Sequence, residues 1–405
     1  MKPTPENQPE MRAQYEAFPY PERDPADEAK RLITGSPSYP PEMDHWLWGG
    51  ARDWSRPLRF LAAGGGTGDG LIQLAQMLTS AGRAYEATYL DLSQAARRIA
   101  EDRAAQRRLT RINFTTQSIL NAAEYGPFDY IDCCGVLHHL PDPQAGFDAL
   151  AGALAPGGGI GLMVYAPHGR SGVYPLQDAF AALTAGLAPQ DRLARAQEVY
   201  QAIPEGHPFK RNPHLVDHNT SEAGFYDLLL HSSDRPYRIS ELLAALDRAG
   251  LELAGVPVPA EYDPEPLVGA LPDTLGDAEK MQLSEDLRGT IKVHTVYAVK
   301  KGARVAPPKG HPEAIPHLRG LDPARLARAI AQKGSINASA GGKDIDIALP
   351  KSAAGIVAGV NGRRNLAALR QAAKMDPIAF GAAWGPVETA LTGLGMLHYS
   401  RVLSA

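Results

Sequence analysis

The sequence predicts an α/β fold: a Rossmann-like, seven-stranded sheet with helices on both faces, a helical cap insertion, and a small C-terminal winged-helix-like α+β unit. From Leu58 onward, short apolar runs alternate with amphipathic stretches, a rhythm typical of the strands and helices of a parallel sheet. The first apolar run ends in the glycine-rich loop GGGTGDG, directly before a helix. Open α/β sheets bind ligands at loops of this kind, at the carboxyl ends of their strands.

Seven runs are predicted as strands because they are apolar, rich in β-branched or aromatic residues, and bounded by turn residues. In chain order they are RFLAA, EATYLDL, RINFTTQ, FDYIDCC, GIGLMVYA, LELAGVPVP and TIKVHTVYAVK. The helices between them carry local start and stop signals. Ser93 and Asp142 are predicted N-caps, Pro143 suits a first helical position, and Gly82 and Gly250 follow helix ends.

Composition divides the chain into four parts. Residues 1–57 are rich in proline and aromatic residues, which predicts an N-terminal cap segment of irregular turns rather than regular helix. Residues 58–302 form the main domain, whose rhythm is interrupted by a mostly helical cap insertion at 166–237. Residues 303–320 are predicted to be a linker, and residues 321–405 the small C-terminal domain.

The overall composition narrows the class of protein. The formal net charge is −4, which does not indicate a nucleic-acid binder. No apolar run approaches the roughly 20 residues that span a bilayer, and the polar N-terminal residues do not resemble a signal peptide. We therefore expect a cytoplasmic protein without a membrane partner. The charge is uneven, however: from Gly302 to the end, 13 basic residues stand against 6 acidic ones, which predicts an electrostatically separate unit.

Two features near the glycine loop indicate a nucleoside ligand. Glycines let the backbone turn sharply and approach a ligand closely. Asp91 ends the next predicted strand, at the distance where an acid can bind ribose hydroxyls. These two features alone also fit a dinucleotide-binding NAD(P) oxidoreductase, which stays open as an alternative.

The further motifs resemble those of class I S-adenosylmethionine-dependent methyltransferases. GGGTG is similar to their cofactor loop, FTTQSIL to the segment near adenine, FDYIDCCGVLHHLPDP to their fourth motif, and LAPGGGIGLMVY to the turn and strand that follow. The resemblance covers about residues 58–300, and YEAFPYPER resembles an N-terminal segment of a bacterial subgroup. It implies S-adenosyl-L-methionine as cofactor. The cofactor-binding residues it implies are Gly64, Gly65, Gly66, Gly68, Asp91, Leu92, Ser118, Ile119, Cys134, Gly135, Tyr15 and Tyr20.

Two positions depart from the family's pattern. Ala62 stands where an acid usually precedes the glycine loop, and Ser118 stands where an aspartate commonly reaches the adenine amine. Both changes remove polar contacts to the cofactor. We expect the N-terminal cap, with Tyr15 and Tyr20, to fold over the cofactor and to supply replacements.

The cysteines and histidines of CCGVLHH do not have the spacing of a metal site. Cys133 and Cys134, the only cysteines, are adjacent and point to opposite faces of a strand, whereas zinc sites space their cysteines by two to four residues. We therefore expect no metal and mostly packing roles for the thiols. His138 or His139 is the candidate general base, as a neutral imidazole near the reacting end of the cofactor.

The remaining candidates come from the start of the predicted insertion and its far end. Tyr165 and His168 are further catalytic candidates, because YAPHGRSGVY follows the fifth strand directly. The substrate-binding candidates are Arg170, Tyr174 and His231, with Arg170 suited to a carboxylate or phosphate.

The predicted function is methyl transfer to an O or N nucleophile of a small molecule or peptide. A protein methyltransferase that uses the basic C-terminal domain for substrate docking stays open as an alternative, and an RNA methyltransferase is less favoured. The C-terminal domain is also a candidate surface for a protein partner or a homodimer.

Overall fold

The computed structural model describes residues 9–35, 37–340 and 342–404. Its centre is a seven-stranded sheet with the order β3-β2-β1-β4-β5-β7-β6. The seven strands are β1 (Leu58–Ala63), β2 (Tyr85–Asp91), β3 (Ile112–Thr116), β4 (Phe128–Cys134), β5 (Leu154–Tyr165), β6 (Leu251–Gly255) and β7 (Val293–Lys300). The predicted seven-stranded sheet is confirmed. It is mixed rather than wholly parallel, because β7 runs antiparallel to both β5 and β6.

Helices cover both faces of this sheet. Those before the insertion are α1 (Pro9–Ala17), α2 (Pro40–Trp48), α3 (Asp69–Ser80), α4 (Gln94–Gln106) and α5 (Pro143–Gly152). One apolar core packs strand residues against α5 and the later helix α9 (Ile239–Arg248). The second core packs the opposite strand faces against α2, α3 and α4. Side chains that alternate along each strand therefore enter different cores, as buried parallel strands require.

The local helix signals act as predicted. Ser93 caps α4 by accepting a hydrogen bond from the backbone N–H of Ala96, and Asp142 caps α5 in the same way toward Ala145. Pro143 occupies the first turn of α5. Gly82 and Gly250 follow helix ends with φ of 67° and 74°, a region that side chains strongly disfavour.

The N-terminal segment corrects one prediction. It contains the regular helices α1 and α2 and a short 3-10 turn at Pro25–Ala29, not only irregular turns. Proline does not oppose helix at the first turn, where the missing N–H would have no partner. Pro40 and Pro41 stand at that place in α2.

The insertion between β5 and α9 is largely helical. It holds α6 (Val173–Leu183), α7 (Pro189–Ala202) and α8 (Glu222–Leu229), which surround their own small apolar core. Helices α10 (Glu265–Val268) and α11 (Asp277–Arg288) lie between β6 and β7. The insertion follows the carboxyl end of β5, so it stands over the edge of the sheet where ligands bind.

The C-terminal region has its own core and two small sheets. Its elements are β8 (Pro316–Leu318), α12 (Pro323–Lys333), β9 (Ser335–Ala340), β10 (Lys343–Ala348), α13 (Ala354–Ala358), α14 (Leu366–Ala372), α15 (Pro377–Gly393) and β11 (Leu397–Tyr399). Strand β8 lies inside the predicted linker 303–320 and pairs with β11, so that part of the linker prediction is corrected. The winged-helix likeness stays a prediction.

The end of the chain is fastened to α2. The Asp44 carboxylate accepts hydrogen bonds from the Ser400 hydroxyl and the Arg401 backbone, and His45 Nδ1 accepts one from the Tyr399 backbone at 3.0 Å. These groups are buried, so the C-terminal region is joined to the main domain by specific contacts. Within the described residues, no helix has the length and apolarity to cross a membrane.

Candidate active site

One cavity of about 440 Å³ opens at the carboxyl ends of the central strands. Its walls come from the glycine loop, the ends of β2 and β4, the N-terminal segment and the insertion. Of the residues singled out by sequence, it brings together Tyr15, Tyr20, Gly64, Gly65, Gly66, Asp91, Leu92, Ser118, Ile119, Cys134, Gly135, His139, Tyr165 and Arg170. The volume is in the range of natural ligand sites.

The glycine loop is shaped so that side chains cannot occupy it. Gly64 and Gly66 have φ of 65° and 51°, and a Cβ on Gly64 would lie 2.5 Å from Val136. A Cβ on Gly65 would lie 2.4 Å from the Tyr89 ring. The loop therefore leaves bare backbone against the cavity, where a ligand can approach closely.

Asp91 joins this loop to the end of β2. Its carboxylate accepts hydrogen bonds from the backbone N–H groups of Gly66 and Ser93, both at 2.8 Å. Burial raises the pKa of Asp91, while these N–H groups lower it. Asp91 thus fixes the loop and presents an acid to the cavity, as binding of ribose hydroxyls requires.

A strap formed by residues 9–35 closes the cavity on this side. The Thr67 hydroxyl donates to the Pro21 carbonyl at 2.7 Å, directly over the glycine loop. Arg23 makes a two-pronged ion pair with Asp69, whose other partner is the buried Arg103. The strap is therefore held against α3 and α4 by charge-assisted hydrogen bonds.

The other end of the cavity carries tyrosines around a buried carboxylate. The Asp227 carboxylate, on α8, accepts hydrogen bonds from the Tyr15 hydroxyl at 3.3 Å and the Tyr165 hydroxyl at 3.2 Å. Tyr15 also lies 3.0 Å from His231 Nε2. Burial raises the pKa of Tyr15 and Tyr165 well above the ordinary value, so both hydroxyls stay protonated.

Comparison with known proteins identifies a domain within the chain. Residues 61–160 match the model of a methyltransferase domain family. This range contains the glycine loop, Asp91 and the end of β4, which all line the cavity. The match covers residues 61–160, about a quarter of the chain, and identifies a methyltransferase domain there.

Two further comparisons extend the likeness beyond this domain. An uncharacterised protein of Synechococcus sp. is 31% identical over 281 residues, or 65% of the methyltransferase described here and 63% of that relative. The match thus spans less than two thirds of the relative's length. The structure of PKMT2 from Rickettsia typhi in complex with AdoHcy covers 91% of this chain and 77% of that one, with 14% identity and a TM-score of 0.63. At that identity the likeness concerns the fold.

In the methyltransferase, His139 is the histidine that reaches the cavity. Its ring stacks on His231 with centroids 3.7 Å apart, and its Nδ1 lies 2.9 Å from the Ser233 carbonyl. A carbonyl only accepts hydrogen bonds, so Nδ1 carries the proton of the neutral ring and Nε2 keeps a lone pair. This fixed tautomer suits a general base, with the Asp227 carboxylate close by.

His139, Asp227 and His231 are close enough to hold a metal ion, but their hydrogen bonds disfavour metal binding. Donor atoms of His139, Asp227 and His231 lie within 4.8 Å of one another. However, His231 Nδ1 accepts a hydrogen bond from the Ser233 N–H at 3.0 Å, so its Nε2 carries the proton. Neither nitrogen of His231 then offers a lone pair, and a metal would have to displace a proton or the backbone bond.

Arg170 lies in the cavity wall but is already paired. Its guanidinium lies over the Tyr165 ring at 3.6 Å and contacts the buried Asp234 at 3.2 Å. Tyr174 accepts a hydrogen bond from it at 3.2 Å. Burial opposes its charge, but Tyr165 and Asp234 together raise the pKa of Arg170. Arg170 therefore supports Tyr165, and its predicted role in binding an anionic substrate group stays a prediction.

Several predicted site residues lie outside the cavity lining. His138 is fully buried beneath Tyr165, and burial holds its pKa well below the ordinary value. His168 lies at the surface, 3.0 Å from Asp286. Gly68 begins α3 and packs against Ala100. Tyr174 and His231 contact Arg170 and Tyr15 instead of the cavity. These five residues lie outside the lining of the cavity, and their predicted roles stay predictions.

Sequence reasoning missed Asp227 and Asp132. Asp227 lies in the helical insertion, about sixty residues from the nearest motif, and no local pattern distinguishes it from other helix carboxylates. Asp132 stands within FDYIDCC, directly before the two cysteines that make this stretch resemble a thiol or metal site. The alternation of the strand could have revealed it, since Asp132 shares a face with Cys134.

Proposed function

We propose that this methyltransferase transfers a methyl group from S-adenosylmethionine to an oxygen or nitrogen of a small molecule or peptide side chain. The observation that carries the proposal is one continuous cavity, which runs from the glycine loop and Asp91 to His139 and Asp227. Cofactor and acceptor would share this enclosed space, where alignment and exclusion of water supply much of the rate.

The residues at the glycine-loop end fit the cofactor. The bare backbone at Gly64 to Gly66 would take the close approach of the nucleoside, and Asp91 would take the ribose hydroxyls. Ser118 and Ile119 would border the base. The bound cofactor supplies a methyl group on a positively charged sulfur, which makes the methyl carbon electrophilic.

The residues at the other end fit a protonated acceptor. His139 Nε2 would accept the proton of the hydroxyl or amine as it is methylated, while Ser233 holds Nδ1–H. The nearby Asp227 carboxylate would stabilise the imidazolium that results. Tyr15 and Tyr165 keep this carboxylate in place and do not compete as bases.

Label transfer tests the proposal. The full chain is incubated with methyl-labelled S-adenosylmethionine and a cell lysate that is then split into small-molecule, peptide, protein and nucleic-acid fractions. We expect S-adenosylhomocysteine to bind in calorimetry, and label to enter the small-molecule or peptide fraction. A chain that binds no S-adenosylhomocysteine, or label that enters only nucleic acid, would overturn the proposal.

A protein acceptor is the second candidate. The likeness to PKMT2 covers 91% of the chain, which cannot be reached without part of residues 303–405, and this region carries the excess of basic residues. It would dock an acidic protein surface through exposed arginines such as Arg325 and Arg328.

Charge reversal separates the two candidates. The variant Arg325→Glu/Arg328→Glu should reduce labelling of a protein acceptor while leaving S-adenosylhomocysteine binding unchanged. Arg56→Glu/Arg98→Glu, at two exposed arginines of the main domain, is the matched control. Equal labelling by both variants would leave the small acceptor as the answer. Deletion of residues 303–405 is unsuitable, because Asp44 and His45 hold the end of the chain.

A further inference from the structure

The cavity is lined by a buried carboxylate, Asp132, that belongs to β4 and not to the glycine loop or the strand before it. Asp132 on β4 lines the cavity and is 5% exposed. In the parallel pairing of β1 and β4, Asp132 stands directly opposite Ala62. Ala62 is followed by Ala63 and then by the glycines of the loop. Paired residues of adjacent parallel strands point to the same face about 4.8 Å apart. The carboxylate therefore occupies the space beside the Ala62 side chain.

The N-terminal segment fixes the direction of this carboxylate. The Ser38 hydroxyl, fully buried, donates a short hydrogen bond to Asp132 Oδ2. The neighbouring Tyr130, on the same strand face, donates to the Pro37 carbonyl. Two successive residues of the N-terminal segment thus bind side chains of β4. Such support fixes a functional side chain in one rotamer.

The position of Asp132 in the cavity also suits the amino-acid part of the cofactor. Cys134 and Gly135, which follow Asp132 at the end of β4, also line the cavity, and β1 separates β4 from β2, the strand that ends in Asp91. If the nucleoside occupies the Asp91 side, the amino-acid part of the cofactor extends toward Asp132. An ammonium group that leaves water needs a paired anion, because a buried unpaired charge is costly.

We propose that Asp132 binds the α-ammonium group of the cofactor, with Ser38 as its positioning residue. The acid that the glycine loop lacks at Ala62 is then supplied by the adjacent strand. The N-terminal segment contributes indirectly, through Ser38, to cofactor binding. This inference rests on the proposed function, since it requires an S-adenosyl amino acid in the cavity.

Two ligands that differ only in the amino-acid part give the test. S-adenosylhomocysteine carries the ammonium group, and 5′-methylthioadenosine lacks the whole aminobutyrate chain. In calorimetry on the full chain, Asp132→Asn should lower the affinity for S-adenosylhomocysteine roughly 10- to 100-fold, because a charge-assisted hydrogen bond to the ammonium group is lost. The affinity for 5′-methylthioadenosine should change less than about twofold, because this ligand has no ammonium group. Retained 5′-methylthioadenosine binding also reports that the variant is folded.

A transplanted carboxylate makes the test sharper. Asp132→Ala should lose S-adenosylhomocysteine affinity, and Ala62→Asp in that background should restore part of it, because the two side chains are neighbours across the ladder. Ser38→Ala should cause a smaller loss, roughly threefold, because Ser38 acts on the ligand only through the position of the Asp132 carboxylate.

The possible failures are distinct. Wild-type protein that binds neither ligand would overturn the proposed function together with this inference. Wild-type protein that binds both ligands equally, or an Asp132→Asn variant that keeps the wild-type preference for S-adenosylhomocysteine, would overturn the role of Asp132 alone. A loss of both ligands in Asp132→Asn, with unchanged thermal stability, would also contradict a specific ammonium contact.

Discussion

The two ends of the cavity differ in how the chain builds them. The glycine-loop end comes from short motifs at consecutive strand ends, with Gly64 to Gly66 and Asp91 within thirty residues of one another. The tyrosine end, where Tyr15, His139, Tyr165 and Asp227 meet, draws on three distant parts of the chain. The first end is a backbone surface for a shared cofactor. The second is a cluster of side chains, and under the proposed function it is where the acceptor would be selected.

The largest effect is expected at the glycine-loop end. Asp91→Ala removes both the acid and the acceptor of the Gly66 N–H, so the affinity for S-adenosylhomocysteine should fall by at least roughly 100-fold in calorimetry. The exposed Asp102→Ala is the matched control and should bind as wild type. If Asp91→Ala kept the wild-type affinity, Asp91 would not be the residue that binds the ribose hydroxyls.

At the tyrosine end, the expected loss is in turnover rather than in cofactor affinity. His139→Ala should reduce kcat roughly 100-fold, within the usual contribution of a general base, and added imidazole should restore part of it. Binding of S-adenosylhomocysteine should change little. His168→Ala, at the surface beside Asp286, serves as the control histidine. If both variants lose kcat equally, His139 is not the base.

Acid should also destabilise the region around the tyrosine end. Burial holds the pKa of His138 well below its ordinary value, so in acid the unfolded chain takes up a proton that the folded chain refuses. Folded stability should therefore fall as the pH drops below about 6.5, by at most about 1.4 kcal/mol per pH unit for this residue.

Urea unfolding of His138→Leu at pH 7 and pH 5 measures the contribution of His138 to the pH dependence of the free energy of unfolding. The variant should lose less stability on acidification than the wild type, and the exposed His168→Leu should follow the wild type. An unchanged pH dependence in His138→Leu would mean that other groups control the acid response.

The smallest effect concerns the strap that joins the two ends. Arg23→Ala breaks the ion pair with Asp69, which is partly open to water, so S-adenosylhomocysteine should dissociate roughly threefold to tenfold faster in stopped-flow displacement. The exposed Arg56→Ala, whose pair with Asp53 lies far from the cavity, should have no effect. Equal dissociation rates would show that the strap does not retain the ligand.

The same contrast explains what could be predicted from the sequence. The strands, the caps at Ser93 and Asp142, and the glycine loop follow from local rules of periodicity, capping and backbone sterics. The helix α2 was missed because its proline content was read without regard to position in the first turn. His138 and His139 could not be separated by sequence, since adjacent side chains diverge and only the packed structure decides which one meets the cavity.

The sequence by itself determined the α/β sheet, the place of the ligand edge and the family, because these depend on short-range patterns repeated along the chain. Only the tertiary structure decided which charges meet. The pairing of Ala62 with Asp132, the two tyrosines on Asp227, and the Ser233 backbone that sets both histidine tautomers join residues far apart in the chain. Such contacts depend on strand order and on how the insertion folds back, and no local pattern encodes either.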